Sequence, residues 1–152
     1  MGIRDRDRQR AQKLWNENNR ETRLLACMLM PAEEFTHDLA DIWGDEISTV
    51  EVAQIMATHL MPRMRAACST AFEWIASENT MKQICGFLCV ARLLQQGAQV
   101  ETRSLSELEN HAQALMGDAS PSLKKAISAA LTWKEEYEKG RKKQEEKSSN
   151  PK

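Results

Sequence analysis

Apolar residues recur every three to four positions along almost the whole chain, and the breaks between these runs are single Gly, Pro or Asn residues rather than long loops. Such spacing lines one face of an α-helix, whereas a half-buried strand needs strict alternation, which no segment offers. Good helix formers fill most positions, while six Gly and four Pro are few for 152 residues. With 41% hydrophobic residues the chain can bury one domain-sized core without a metal or disulfide staple. There is no Gly-rich phosphate loop, and no cofactor is expected.

Punctuation divides the pattern into helices. Residues 4–17 read as a charged helix with Ala11, Leu14 and Trp15 inward, stopped at Asn18-Asn19. A second runs from about Arg20 to Met30, before Pro31. Ala32 to Trp43 puts Phe35, Leu39, Ile42 and Trp43 on one stripe, which predicts a continuous helix ended by Gly44-Asp45. Ser48-x-x-Glu51 has the form of a capping box and predicts a helix from there to about Met61, with a boundary at Pro62. Residues 63–76 and Thr80 to Gln96 form the next pair, the latter apolar around so much of its circumference that it should be the most buried element. A second capping box, Ser104-x-x-Glu107, opens a helix with Leu105, Leu108 and Ala112 inward. Ser120, with Pro121 at the first helical position, opens the last helix, expected to end near Lys139. From Gly140 to Lys152 a charged, disordered tail is expected. The reading is a single all-α domain over residues 1–139. It is a right-handed superhelix of about eight helices stacked in antiparallel pairs, at roughly the 40-residue period of HEAT-type repeats.

Charge and cysteine usage narrow the function classes. Residues 1–23 hold seven Lys or Arg against four Asp or Glu, net +3, and residues 134–152 hold seven against five, net +2. The middle, residues 24–133, holds seven against thirteen, net -6. A module living by phosphate contacts normally shows the opposite bias. No apolar run reaches the roughly 18 residues of a membrane span, and no secretory h-region follows the mixed-charge start, so a cytoplasmic location is expected. Cys27, Cys68, Cys85 and Cys89 sit inside helical patterns and read as reduced core residues. Cys85 and Cys89 have an i, i+4 spacing that can present two ligands to one metal, but no matching second pair exists, and no metal site is expected. His37, His59 and His111 fall in three separate helices and read as surface or packing residues.

Three segments resemble the HEAT-like-repeat alkylpurine DNA glycosylases, the AlkD-type DNA alkylation repair family. They are Leu14-Trp15 through Arg20-Glu21-Thr22-Arg23-Leu24-Leu25-Ala26; Trp43 through Ile47-Ser48-Thr49-Val50-Glu51-Val52 to His59-Leu60 and on to Ala71-Phe72-Glu73-Trp74-Ile75-Ala76-Ser77; and Leu123-Lys124-Lys125-Ala126-Ile127-Ser128. The resemblance implies a solenoid that cradles damaged duplex DNA, with Trp rings on the lesion's sugar and a carboxylate opposite the developing oxocarbenium ion. Cleaving an N-glycosidic bond builds positive charge on the sugar, which anionic and π-faced groups stabilise. In this chain the family's Trp and Asp positions fall on Val50 and Gln54, and the Trp of the last repeat falls on Ala129, with a nearby Arg on Thr132. The family's Arg pair falls near Lys82, Gln83 and Ile84, ahead of Gly86. Neither Val nor Ala offers a π-face, and a Gln amide carries no negative charge. Glu51, three residues before Gln54 and on nearly the same face, is the one candidate for a substitute carboxylate, with a competing role in its capping box.

The expectation is therefore a catalytically degenerate relative that binds duplex or distorted DNA. Arg63, Arg65, Lys82, Lys124 and Lys125, near helix N-termini, are the phosphate candidates, and Trp133 the base-stacking candidate. A solvated rim is the plain alternative for the cations, and core packing for Trp15, Trp43 and Trp74. Two rival functions remain open: a protein-interaction scaffold holding a protein partner in its groove, and an active glycosylase using Glu51.

Overall fold

A computed structural model describes residues 2–148. Among these residues there are eight α-helices and no strand: α1 (Ile3–Asn16), α2 (Arg20–Leu29), α3 (His37–Asp45), α4 (Val50–Ile55), α5 (Ala67–Ile75), α6 (Thr80–Gln95), α7 (Thr102–Met116) and α8 (Pro121–Ser148). The protein is all-α, and its helices pack as neighbouring pairs, α1 on α2, α5 on α6 and α7 on α8. Its architecture is that of stacked helical hairpins. No helix among the described residues is long and apolar enough to cross a membrane.

As its pattern requires, α6 is the central element, with Ile84, Cys85, Phe87, Cys89 and Val90 fully buried and α5, α8, α4 and α3 packed around it. Gly86 lets α5 approach: a Cβ there would lie 2.6 Å from the Ala71 carbonyl oxygen and 2.8 Å from Ile75 Cγ1. At the N-terminal end the indoles of Trp15 and Trp43 stack with centroids 4.3 Å apart and planes 5° from parallel, while Phe35 meets Trp43 edge-on. Each indole N–H is satisfied, Trp15 donating to Glu46 and Trp43 to Gln12. The Arg23 guanidinium lies over the Trp15 ring and donates to the Trp15 and Glu46 carbonyls, so a buried charge is accounted for.

Several boundaries differ from the sequence pattern. The stretch from Ala32 to Trp43 is not one helix: a 3-10 turn covers Ala32–Glu34, and α3 starts afresh because Thr36 caps it, its hydroxyl accepting from the Leu39 N–H. The restart turns Ala40, Trp43 and Gly44 inward and leaves Ile42 58% exposed. The cap of α4 is Thr49, which accepts from the Val52 N–H, so Ser48 and Glu51 form no capping box. We expect Thr49→Ala to cost about 1 kcal/mol in a denaturant titration, and Ser48→Ala close to nothing. The reverse order would restore the Ser48 cap.

After Ile55 the chain widens into a π-helical turn over Met56–Leu60, in which the Met61 N–H reaches back to the Met56 carbonyl, and then tightens into a 3-10 turn over Met61–Arg63. Pro62 is the physical reason: it has no N–H to give the preceding turn, and the Thr58 carbonyl is met instead by Arg92 Nε from α6, at 3.5 Å. The next helix therefore begins at Ala67, not at Arg63, after Ala66 takes a left-handed conformation (φ 56°). α7 starts at Thr102, with Ser104 inside it rather than capping it. The Ser120 cap is as expected, its hydroxyl accepting from the Leu123 N–H. α8 does not end near Lys139 but continues through Gly140 to Ser148. The rest of the expected tail, residues 149–152, lies outside the described residues.

Candidate functional site

The positions at which the resemblance sets the family's chemistry lie on α4 and α8. Val50 is half-buried against the core, Gln54 is exposed, and Ala129 is half-buried. No π-face and no carboxylate stands at these three positions. Glu51, at the start of α4, is exposed, and Arg20 Nε lies 3.9 Å from its carboxylate across the surface.

The cationic candidates separate into two groups. Arg63 and Arg65 are exposed on the segment between α4 and α5, and Arg63 Nε donates to the His59 carbonyl at 2.7 Å. Lys124 and Lys125 are exposed at the start of α8. Among the described residues none of these four is in an ion pair. Lys82 is of a different kind. It is only 8% exposed, its ammonium sits 2.7 Å from Asp45 Oδ1 and 3.6 Å from Asp41 Oδ1, and it lies over the Trp74 ring. Gly44 makes room for this arrangement, since a Cβ there would lie 2.7 Å from the Trp74 ring and 2.9 Å from Lys82 Cε.

Trp15, Trp43 and Trp74 are buried to within 1% and belong to the core, as the stripes suggest. Trp133 is the half-buried one of the four. Its neighbours are engaged elsewhere: the Tyr137 hydroxyl accepts from the Val100 N–H and lies 3.4 Å from the Val100 carbonyl, pinning the α6–α7 loop to α8. Lys134 bridges Glu138 and Glu109, and its hydrogen bond to Glu138 is the main reason its pKa is raised.

The thiols are chemically quiet. Burial pushes Cys27 up to about 12, despite the opposing charge of Arg23, and also raises Cys85 and Cys89 well above the ordinary thiol value. Cys68, half-buried, is raised by the same desolvation and by Glu101. Thiolate is the nucleophilic and metal-ligating form, and burial disfavours it at all four positions. Cys85 Sγ packs 3.3 Å from Met61 Sδ inside the core.

His59 is exposed and His111 half-buried on separate helices, whereas His37 belongs to a cluster that the sequence reading passed over. Its Nε2 faces Glu73 Oε2 at 3.2 Å and Asp41 Oδ2 at 3.6 Å, and its Nδ1 lies 3.0 Å from the hydroxyl of buried Thr70. The spacing of His37, Asp41 and Asp45, four residues apart on α3, was a legible sign of one charged face. Their partners Thr70, Glu73 and Lys82, on α5 and α6, are more than 30 residues away and leave no local signal.

Residues 2–142 match the model of a family described as DNA alkylation repair enzyme. The chain belongs to the DNA alkylation repair enzyme family. No curated protein and no solved structure matches it significantly. Membership agrees with the resemblance carried by the Leu14-Trp15, Trp43 to His59 and Leu123 to Ser128 segments. The all-helical hairpin stack is the scaffold on which those segments lie.

Proposed function

We propose that this member of the DNA alkylation repair family binds duplex or distorted DNA through its backbone, on a HEAT-like solenoid, without excising a base. The observation that carries the reading is the split between scaffold and chemistry. The family match spans residues 2–142, yet Val50, Gln54 and Ala129 stand at the positions where charge and π-faces would serve an oxocarbenium-like transition state. In this reading Glu51, exposed and facing Arg20, is a surface carboxylate and not a replacement.

Binding falls to the unpaired cations. Lys124 and Lys125 stand at the positive end of α8, where a cation is disfavoured by the helix dipole and an arriving phosphate relieves the conflict. Arg63, at the end of the 3-10 turn, and Arg65, two residues beyond it, are likewise in no ion pair. Lys82 contributes little, its charge being taken up by Asp45 and Asp41. Trp133 is the stacking residue left available. The expected outcome of Lys124→Glu with Lys125→Glu is weaker binding to all sequences alike. Its salt dependence should be shallower by about two in the slope of log K against log salt, one per lost phosphate contact. Fluorescence anisotropy of a labelled duplex across a salt series reads both quantities. Unchanged affinity would remove this helix end from the interface.

A second reading, a protein-interaction scaffold, draws on the exposed apolar side chains Leu25 and Met28 on α2, beside the half-buried Leu14 and Leu29. Absence of duplex binding even at low salt would transfer the function to that class.

A further inference from the structure

We propose that His37, Asp41 and Glu73 form a site for a borderline divalent metal ion of the Zn2+ class, on the face shared by α3 and α5. One ligand atom from each residue lies within 4.8 Å of the other two. The Nε2 to carboxylate distances are 3.2 and 3.6 Å. Three ligands bonded at about 2.0–2.2 Å in tetrahedral geometry stand roughly 3.4 Å apart, which the two Nε2 to carboxylate distances already match. An imidazole nitrogen with two carboxylates is a donor set for Zn2+ and its neighbours in the first transition row, with water completing the coordination.

The surroundings orient each ligand. Thr70, fully buried, holds His37 Nδ1 from behind; when Nδ1–H donates to this hydroxyl, the Nε2 lone pair is left aimed at the two carboxylates, a repulsion that a bound cation relieves. The Trp74 indole N–H donates to Asp41 Oδ1 at 2.7 Å, so Oδ2 is the oxygen presented to His37. Lys82 is shared mainly with Asp45 and leaves the Oδ2 side open. Glu73 and His37 are both partly exposed, which gives an ion a path from solvent.

Isothermal titration of Zn2+ into the intact protein tests the site. Saturable binding near one equivalent is expected. His37→Gln and Glu73→Gln should each weaken it at least tenfold. Thr70→Val, which keeps the buried shape but removes the oxygen behind the imidazole, should weaken it about 10–100-fold, the range typical of lost outer-shell support. His59→Gln and Cys68→Ser should leave it unchanged. Circular dichroism of the metal-free variants separates lost binding from lost folding, and His37 and Glu73 are exposed enough for their substitution to spare the core. No saturable heat in the wild-type protein would overturn the proposal. So would binding that survives His37→Gln and disappears with Cys68→Ser or His59→Gln.

Discussion

Trp43→Ala is expected to lower stability by about 3–5 kcal/mol, enough to remove a large part of the margin of a domain of this size. Trp43 is fully buried and makes three contacts: it stacks on Trp15 of α1, takes the edge of Phe35 and donates its N–H to Gln12, also of α1. Truncation leaves a cavity beside a second indole, forfeits a stacking term of about 0.5–1.5 kcal/mol, and leaves the far face of Trp15 without a partner under the Arg23 cation. The midpoint of urea unfolding measures the loss. A loss no larger than that of Ile42→Ala, one residue away but 58% exposed, would contradict this packing.

Gly86→Ala should cost about 1–3 kcal/mol by the opposite route, overpacking. Helix propensity alone favours Ala over Gly inside a helix by about 1 kcal/mol. Here that gain is outweighed, because the added methyl meets a backbone atom, the Ala71 carbonyl oxygen, at 2.6 Å, and α5 and α6 must separate to admit it. Gly140 provides the contrast. It lies within α8 with nothing within 4 Å of an added Cβ, so Gly140→Ala should stabilise by about 0.5–1 kcal/mol. Thermal or urea unfolding of the two variants should therefore move in opposite directions, and equal signs would contradict the helix packing described.

What the sequence made legible was periodicity, and what it hid was competition between neighbouring signals. α6 and the burial of Trp15, Trp43 and Trp74 followed from apolar spacing, because a stripe has one way to face a core. The Ser120 cap with Pro121 behind it was also unambiguous. At Ser48-Thr49 two hydroxyls compete for one cap, and the choice of Thr49 depends on how α4 packs, which no local pattern records. Thr36 similarly overrides a helical stripe that runs from Phe35 to Trp43. Pro62 marked a boundary, but not that the turn before it would widen to hand a carbonyl to Arg92. Charged residues were the least legible. Lys82 reads as a helix-end cation and is instead enclosed by Asp41, Asp45 and Trp74, brought together by three helices.

The same competition shapes the functional reading. In the proposed reading the family scaffold survives substitution of its reacting groups, because the core stripes, not the site, determine the hairpin stack. Among the phosphate candidates, exposure and lack of an ion pair distinguish Arg63, Arg65, Lys124 and Lys125 from Lys82, and only the folded chain supplies that distinction. The acidic middle of the sequence is compatible with it: carboxylates such as Asp41, Asp45 and Glu109 are spent locally on Lys82 and Lys134.

The most direct test of the central claim combines two readouts on one sample: anisotropy of a labelled duplex, with and without an alkylated purine, titrated across a salt series, followed by assay of the same duplex for released base. The expected result is binding that falls steeply with salt and weakens with Lys124→Glu and Lys125→Glu, with no base released. Base release that is abolished by Glu51→Gln, or no binding at the lowest salt, would contradict it.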